Sequence, residues 1–181
     1  MKTLLIGGAR CGKSRLAARW ASARSVDVAC LVTARASDAE MAARIDFHRR
    51  ERPSAWVVRE AFVELAAALR DLDRPGRSLI IDCLTLWTSN CLWPDAACEK
   101  EVAPDLELWH RERDSFLAVL AACRGDVIAV SNEVGEGIVP VSASARLFRD
   151  EHGVLNQSVG AICDEAYLVV AGLPLQLKRA G

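Results

Sequence analysis

Residues 7–14 read GGARCGKS, and this stretch decides the fold of the chain. It fits the pattern G-x-x-x-x-G-K-[ST], with glycines at positions 7 and 12 followed by Lys13 and Ser14. In such a loop the glycines let backbone N–H groups turn inward around phosphate oxygens. The lysine reaches the β- and γ-phosphates, and the hydroxyl is a ligand for Mg²⁺. The sequence therefore predicts a phosphate-binding loop.

The flanking residues fit the structural setting of such a loop. Lys2–Ile6 is a short apolar run that predicts a buried first strand, and Ser14–Ala23 predicts a helix. The N-terminus of that helix would face the phosphates, where its free N–H groups and its dipole favour negative charge. The strand, loop and helix together strengthen the prediction beyond the pattern alone.

Apolar runs alternate with amphipathic stretches along the rest of the chain. The further predicted strands are Val26–Val32, Trp56–Val58, Ser78–Ile81, Val127–Ser131, Ala166–Val170 and an edge at Leu175–Leu177. The further predicted helices are Ser37–Arg50, Ala61–Leu72, Leu84–Leu92, Leu106–Cys123, Ser142–Asp150 and Leu155–Cys163. Ser37 and Glu40 form a capping box at the start of the first of these. The alternation predicts an α/β fold with a mainly parallel sheet covered on both faces, in a single domain over residues 1–181.

Composition narrows the class of protein. A net charge of −1 gives no basic field for nucleic acid, and no apolar run approaches the length of a membrane span. The first residues lead directly into the strand and the loop, so no signal peptide and a cytoplasmic location are expected. The seven cysteines form no C-x-x-C pair and are expected to be free thiols. Cys11, inside the loop, is a candidate for oxidation but not for catalysis.

Polar residues follow two of the predicted strands. Asp82 comes directly after Ser78–Ile81, where an acidic residue orients Mg²⁺ in phosphate-loop folds, although an N-cap for the next helix is the alternative. Asn132 and Glu133 follow Val127–Ser131 and are expected at the same edge of the sheet. They could hold a γ-phosphate, a water or an acceptor hydroxyl, or simply begin a glycine-rich loop. No N-K-x-D motif follows Asn132, which disfavours a regulatory GTPase.

His48 is the remaining informative residue. It stands three residues beyond Ile45 on one stripe of a predicted helix, which is typical of a partly buried core histidine. Arg44, Arg49, Arg50 and Arg52 surround it in the sequence. Adjacent positive charge favours a neutral, nucleophilic imidazole, and arginines bind phosphate oxygens bidentately. The arginines could equally form a solvated helix face. Glu60 could pair with them or accept hydrogen bonds from a nucleotide.

Together these pieces resemble one family, the bifunctional adenosylcobinamide kinase / adenosylcobinamide-phosphate guanylyltransferase of cobalamin biosynthesis. The resemblance covers nearly the whole chain. Besides the loop, it rests on three stretches: DAEMAARIDFHRRERPSAW around His48, IIDCLTLWTSN around Asp82, and SNEVGEGIVP leading to ARLFRDEHGVLNQ. The loop is common to many families, whereas the His48 segment and NEVGEGIVP are much more specific.

The resemblance implies a RecA-like three-layer sandwich that assembles as a homotrimer, and two reactions. ATP or GTP phosphorylates adenosylcobinamide, and GTP then gives GMP to the product through a covalent histidine–GMP, which would form on His48. Lys13 would assist catalysis, and Ser14 and Asp82 would hold Mg²⁺. The nucleotide contacts implied are Gly7, Gly8, Ala9, Arg10, Cys11, Gly12, Lys13, Ser14, Val32, Thr33, Ala34, Arg49, Arg50, Glu51, Arg52, Glu60 and Asp82.

The sequence departs from the family pattern at two positions. Cys11 stands where serine is common, and Asp82 is one methylene shorter than the glutamate of some members. A different small-molecule kinase and a non-catalytic nucleotide switch are the rival interpretations. The sequence leaves open whether both activities are retained, which donor serves the kinase step, which base accepts the hydroxyl proton and which residues bind the corrinoid. Trp87, Trp93 and Trp109 are candidates for the corrinoid, with core packing as the alternative.

Overall fold

The structure is a computed structural model that describes residues 1–36, 38–94 and 102–179, and the side chains of Arg44 and His48 lie outside what it describes. In chain order the elements are β1 (Lys2–Gly7), α1 (Lys13–Arg24), β2 (Val28–Val32), α2 (Ala39–Glu51), β3 (Val57–Glu60), α3 (Leu65–Leu72), β4 (Ser78–Asp82), α4 (Leu84–Leu92), α5 (Leu106–Ala122), β5 (Asp126–Asn132), α6 (Ala143–Ile162), β6 (Glu165–Val170) and β7 (Leu173–Lys178).

The described strands form one seven-stranded sheet in the order β3-β2-β4-β5-β1-β6-β7. Every pairing is parallel except that between β6 and β7. The mainly parallel sheet predicted from the alternation of elements is therefore confirmed. The inner strands are buried along almost their whole length, because helices cover both faces.

The sheet separates two hydrophobic clusters. Neighbouring residues of β1 illustrate the period-2 alternation: Leu4 packs in one cluster and Leu5 in the other. The side of Leu5 is covered by α1 through Leu16 and Ala17. The side of Leu4 is covered by α3, α4, α5 and α6, and it contains the larger cluster. The molecule is thus a three-layer sandwich, as the resemblance implies.

The register of the sheet brings the predicted site residues to one edge. Gly7 of β1 lies opposite Asn132 of β5, and Val32 of β2 lies opposite both Asp82 of β4 and Glu60 of β3. These strands are parallel, so their carboxyl ends meet where ligands bind in open α/β sheets. The expectation that Asp82 and Asn132 share an edge with the loop is confirmed.

The prediction of two helices at Ser142–Asp150 and Leu155–Cys163 is wrong. The structure has one helix, α6, which runs without interruption through Gly153. A glycine in a helix interior costs only about 1 kcal/mol. Burial of one face of α6, including Leu155 and Val159, outweighs that cost.

The N-terminal cap of α2 differs from the predicted capping box. Asp38 is the N-cap and accepts from Met41 N at 2.7 Å, whereas Ser37 lies outside the described residues.

The boundaries of three other predicted elements also differ from the structure. The helix expected from Ala61 begins at Leu65, since the carbonyls of Phe62 and Val63 accept hydrogen bonds from Asn90 and Trp87 instead of continuing a helix. The third strand is Val57–Glu60 rather than Trp56–Val58, and the second begins at Val28 rather than Val26. The extension of the third strand puts Glu60 at the ligand edge.

Two of the three tryptophans considered for the corrinoid lie in the core. Trp87 and Trp109 are 0% exposed, and their ring centroids are 5.4 Å apart. Core packing therefore explains both rings, while Trp93 is half-buried beside Phe148. Among the described helices, none combines the length and the apolar character that crossing a bilayer requires.

Candidate functional site

The phosphate loop connects the end of β1 to the start of α1. Gly12 is the N-cap of α1 and has a φ of 102°, which favours glycine. The ammonium of Lys13 donates to the carbonyls of Gly7 and Gly8 at 2.8 and 2.7 Å, and the residue is only 5% exposed. The lysine charge is therefore held over the loop, beside the N-terminus of α1, where phosphate oxygens are attracted.

The turn between β6 and β7 packs against this loop. Gly172 N donates to Cys11 O at 2.8 Å, and a Cβ on Gly12 would lie 3.2 Å from Gly172 Cα. A Cβ on Gly7 would lie 2.3 Å from Val169 O. The glycines at positions 7 and 12 are thus required by a neighbouring hairpin as well as by phosphate. The sequence pattern gave only the second reason.

Replacing Gly7 by alanine is expected to destabilise the fold, because a backbone carbonyl occupies the place of the new methyl group. We expect the free energy of unfolding in urea to fall by about 3 kcal/mol. Gly8→Ala is the matched control, since nothing lies within 4 Å of its Cβ position. That variant should stay within about 0.5 kcal/mol of wild type. Equal effects of the two substitutions would contradict the proposed role of the hairpin.

Ser14 and Asp82 form the candidate metal site. Ser14 Oγ donates to Asp82 Oδ1 at 3.1 Å, and Arg52 Nη2 donates to Asp82 Oδ2 at 3.2 Å. The alternative role of Asp82 as a helix cap is wrong, because Cys83 is the N-cap of α4 and no side chain caps that end. No group of three or more acidic, histidine or cysteine ligands occurs among the described residues. One carboxylate and one hydroxyl suit Mg²⁺, which takes its other ligands from water and phosphates.

Two adjoining cavities open at this edge. The phosphate cavity, of about 450 Å³, is lined by loop residues 10–14 and Arg15, by Phe47 and Glu51 of α2, and by Asp82, Cys83, Leu86, Val130 and Asn132. The side cavity, of about 80 Å³, is lined by Ser14, Val32, Ala34, Met41, Ile45, Arg52, Glu60, Asp82, Cys83 and Leu86. Ser14 and Asp82 line both, so a ligand can extend from one cavity into the other past the candidate metal site.

Eleven of the seventeen predicted nucleotide contacts line these cavities, and six do not: Gly7, Gly8, Ala9, Thr33, Arg49 and Arg50. Arg49 and Arg50 are exposed on α2 and are absent from the lining of both cavities. Thr33 is buried, and its hydroxyl is used within the fold: it donates to Cys83 O at 2.7 Å and accepts from Cys83 N. The side chain of Thr33 is therefore engaged in structure rather than directed at a ligand.

The helix α2 carries His48 beside the cavities. Position 48 lies three residues from Ile45, which lines the side cavity, and three from Glu51, which lines the phosphate cavity. Residues three apart share a helix face, so the backbone places position 48 on the stripe nearest the site. Met41, Ile45 and Phe47 were not predicted as site residues. The stripe of Met41, Ile45 and His48 was the signal for the first two, although its spacing also fits a core face.

A second histidine, which sequence analysis did not single out, is buried below this edge. His152 of α6 is 0% exposed and lies between α4 and β5. Its Nδ1 is 3.1 Å from Thr88 Oγ1, and its Nε2 is 3.1 Å from both Ser131 Oγ and Asn132 O. Burial lowers the pKa of His152 from its ordinary 6.5 to about 4, against smaller opposing effects of Asn132 O and Glu133. The ring is thus neutral at physiological pH.

This buried ring predicts a pH-dependent stability. Between the unfolded pKa of 6.5 and the folded pKa of about 4, the unfolded chain binds a proton that the folded chain does not. The contribution to the unfolding free energy is therefore complete above about pH 6.5 and is lost as the pH falls towards 4. From pH 7 to pH 5 we expect wild type to lose about 2 kcal/mol more than His152→Gln in urea unfolding. Parallel pH dependences would show that the ring titrates normally.

The chain is similar to proteins of a known family over almost its whole length. The family model described as cobinamide kinase / cobinamide phosphate guanyltransferase matches residues 3–177. Over 178 residues, the chain is 42% identical to a bifunctional adenosylcobalamin biosynthesis protein of Pseudomonas aeruginosa, and the match covers 98% of each chain. Over 189 residues, it is 34% identical to a protein of the same description from Escherichia coli, with 98% of this chain and all of that one covered.

Among solved structures, the chain resembles a prototypical ATPase from the type III secretion system of pathogenic bacteria. The TM-score is 0.52 at 15% identity, and the match covers 97% of this chain. The chain spans 56% of the length of that ATPase. A likeness at this identity concerns the fold alone. It confirms the RecA-like phosphate-loop architecture.

Proposed function

Because this chain belongs to the cobinamide kinase / cobinamide phosphate guanyltransferase family, we propose that it carries out two successive transfers at the loop Gly7–Ser14. In the first, ATP or GTP phosphorylates the hydroxyl of adenosylcobinamide. In the second, GMP passes from GTP to the phosphorylated corrinoid, giving adenosylcobinamide-GDP and pyrophosphate. The observation that carries the proposal is the phosphate cavity, which has the loop on one side and the helix bearing His48 on the other.

The loop serves the phosphoryl transfer through position and charge. Lys13, released from the carbonyls of Gly7 and Gly8, would neutralise the charge that develops on the β- and γ-phosphates. Ser14 and Asp82 would hold Mg²⁺, which would supply further positive charge to neutralise those phosphates. The hydroxyl of the corrinoid attacks the γ-phosphorus and loses its proton to solvent. The bond between the γ-phosphorus and the oxygen that bridges the β- and γ-phosphates breaks, and the nucleoside diphosphate leaves.

His48 serves the guanylyl transfer as nucleophile. A nitrogen of the neutral imidazole attacks the α-phosphorus of GTP. The bond between the α-phosphorus and the oxygen that bridges the α- and β-phosphates breaks, so pyrophosphate leaves. A phosphate oxygen of the phosphorylated corrinoid then attacks the same phosphorus and releases the histidine. Covalent catalysis thus divides one difficult displacement into two easier ones. The positive charges of Arg49, Arg50 and Arg52 would favour the neutral ring before attack, and Arg52, the one of the three that lines a cavity, would attract the phosphates.

The side cavity offers contacts selective for guanine, and at about 80 Å³ it admits the edge of a base rather than the whole ring system. Val32, Met41 and Ile45 give it apolar walls. Of its two lining carboxylates, Asp82 is paired with Ser14 and Arg52, whereas Glu60 lies at the carboxyl end of β3. Guanine presents N1–H and an exocyclic NH₂ that can both donate to one carboxylate, whereas adenine presents an acceptor at N1. A carboxylate here would therefore favour GTP over ATP, as the second transfer requires.

The Arg52–Asp82 ion pair links the candidate metal site to α2. Arg52 is the C-cap of α2, so the pair ties the end of that helix to β4. Asp82 would also be a ligand for Mg²⁺, so its carboxylate would be shared with Arg52. We propose that weakening of the Arg52–Asp82 pair when nucleotide binds frees α2 to bring His48 to the α-phosphate. A GTP-bound structure with position 48 still far from that phosphate would contradict this step.

Labelled GTP tests the proposed function against its rivals. With adenosylcobinamide and Mg²⁺, γ-labelled GTP should transfer its label to the corrinoid. Without corrinoid, α-labelled GTP should label the protein, and with phosphorylated corrinoid present the α-label should pass to the corrinoid. Transfer of the γ-label without the α-label would indicate a plain kinase. Transfer of no label at all would indicate a nucleotide switch. Omission of Mg²⁺ should prevent both transfers. The homotrimer is likewise part of the proposal, and sedimentation velocity at micromolar concentration measures it.

A further inference from the structure

We propose that His152 and Asn156 are positioning residues for nucleotide binding: they hold the peptide between Asn132 and Glu133, which in turn holds the phosphate loop. Both residues lie on α6, which is not one of the elements that form the loop. The inference rests on the proposed function only for the premise that nucleotide phosphates bind at Gly7–Ser14. It is independent of whether His48 carries GMP.

The peptide between Asn132 and Glu133 is held from both sides. Its carbonyl, Asn132 O, accepts from His152 Nε2 and from Asn156 Nδ2, each at 3.1 Å. Its N–H, Glu133 N, donates to Gly7 O at 3.0 Å. Gly7 O also accepts from the ammonium of Lys13 at 2.8 Å. One peptide unit therefore separates the α6 side chains from the carbonyl that opens the loop and holds its lysine.

The tautomer of His152 follows from the partners around the ring. A carbonyl only accepts, so Asn132 O requires the hydrogen to be on Nε2. Nδ1 then lies 3.1 Å from the hydroxyl of Thr88, which also has Leu84 O as an acceptor at 2.9 Å and donates to one of the two at a time. Ser131 Oγ donates to Asn156 Oδ1 at 2.6 Å, which orients the amide so that its NH₂ faces Asn132 O. The neutral ring and the oriented amide thus present two donors to a single carbonyl.

The residue fixed in this way faces the ligand. Asn132 lines the phosphate cavity, and its own N–H donates to Thr85 Oγ1 at 2.8 Å. Side chains therefore hold both the N–H and the carbonyl of Asn132 at the end of β5. Asn132 also pairs with Gly7 in the sheet. Removing a donor from this partly buried carbonyl leaves it partly unsatisfied, and the peptide shifts to recover the bond. A shift of this peptide moves Gly7 O, and with it the loop and Lys13.

Thr88 offers a control within the same network. It contacts the ring at Nδ1, the nitrogen on the side away from Asn132 O, and Thr88→Val keeps its shape. If the network merely stabilises the core, Thr88→Val and Asn156→Leu should lower the melting temperature and leave nucleotide affinity alone. If the network positions the loop, only Asn156→Leu and His152→Leu should weaken nucleotide binding.

The test measures binding of GTP with Mg²⁺ by titration calorimetry, together with KM and kcat of the γ-transfer. We expect His152→Leu and Asn156→Leu each to raise the dissociation constant and the KM for GTP roughly fivefold to tenfold, with kcat nearly unchanged. Thr88→Val should change both constants by less than about twofold. His152→Gln, which keeps a donor near Nε2, should recover most of the affinity.

Each outcome decides the proposal. Wild-type affinity in a folded Asn156→Leu variant would overturn it, and so would a Thr88→Val variant that binds GTP as weakly as Asn156→Leu. If His152→Leu fails to fold, the pair Asn156→Leu and Thr88→Val decides alone. Long-range ¹H–¹⁵N correlation of the wild-type imidazole should show the hydrogen on Nε2, and a hydrogen on Nδ1 would also overturn the proposal. Failure of wild type to bind GTP would remove its premise.

Discussion

His48→Ala is expected to abolish transfer of GMP while leaving phosphorylation of adenosylcobinamide close to wild type. The histidine would make the covalent bond to the α-phosphorus, so its loss removes the first displacement of the second reaction. Loss of a covalent nucleophile lowers the rate by on the order of 10⁴-fold or more. The γ-transfer has no need of this residue, because its acceptor is the hydroxyl of the corrinoid. Parallel assays with α- and γ-labelled GTP measure the two rates.

The control for this variant is His110→Ala. His110 lies on α5, away from the two cavities, is about half exposed, and has its Nε2 3.7 Å from Glu151 Oε2. Its removal should leave both rates unchanged. Retention of guanylyl transfer in His48→Ala would show that another group is the nucleophile or that GMP passes directly to the corrinoid. Loss of both rates would point instead to a structural role for His48.

Lys13→Met is expected to remove both activities together. Both transfers place negative charge on phosphate oxygens in the same loop, and Lys13 is the buried cation held there by Gly7 and Gly8. Removing a preorganised charge of this kind costs on the order of 10²–10³-fold in rate. Methionine keeps most of the length of the side chain, so the loss reports the charge. Steady-state rates of γ- and α-transfer, measured on the same preparation, test this expectation.

Lys178→Met is the matched control for the lysine. Lys178 donates to the last carbonyls of α6, at Gly160 and Ala161, and is exposed. The Lys178→Met substitution removes one positive charge from the protein without changing the loop, so the rates of both γ- and α-transfer should persist. A Lys13→Met variant that loses one transfer and keeps the other would contradict the claim that one loop serves both reactions.

The features predicted correctly from the sequence are those that depend on residues close together along the chain. The loop, the strand before it and the helix after it follow from eight residues and their neighbours. Asp82 was found because it ends an apolar run, and the sheet register then brings it to Ser14. The break expected within α6 was wrong because burial of one helix face outweighs a single glycine, and burial depends on the tertiary fold.

The features missed depend on contacts between distant segments. Met41 and Ile45 line a cavity, but a helix stripe facing a cavity has the same spacing as one facing a core. The His152 network joins α4, β5 and α6, and no spacing in the sequence connects Thr88, Ser131 and His152. The hairpin against Gly7 likewise brings together residues more than 160 positions apart. These relations follow only from how the elements pack.

The most direct measurement is peptide mass spectrometry of the protein after incubation with GTP and Mg²⁺, without corrinoid. Cleavage after Arg44 and Arg49 gives the peptide Ile45–Arg49, in which His48 is the only histidine. Phosphoramidates are lost in acid, so digestion and separation are kept neutral to alkaline. The account predicts a peptide heavier by one bound GMP, which disappears when phosphorylated adenosylcobinamide is added. An unmodified peptide, or GMP on a peptide without His48, would contradict it.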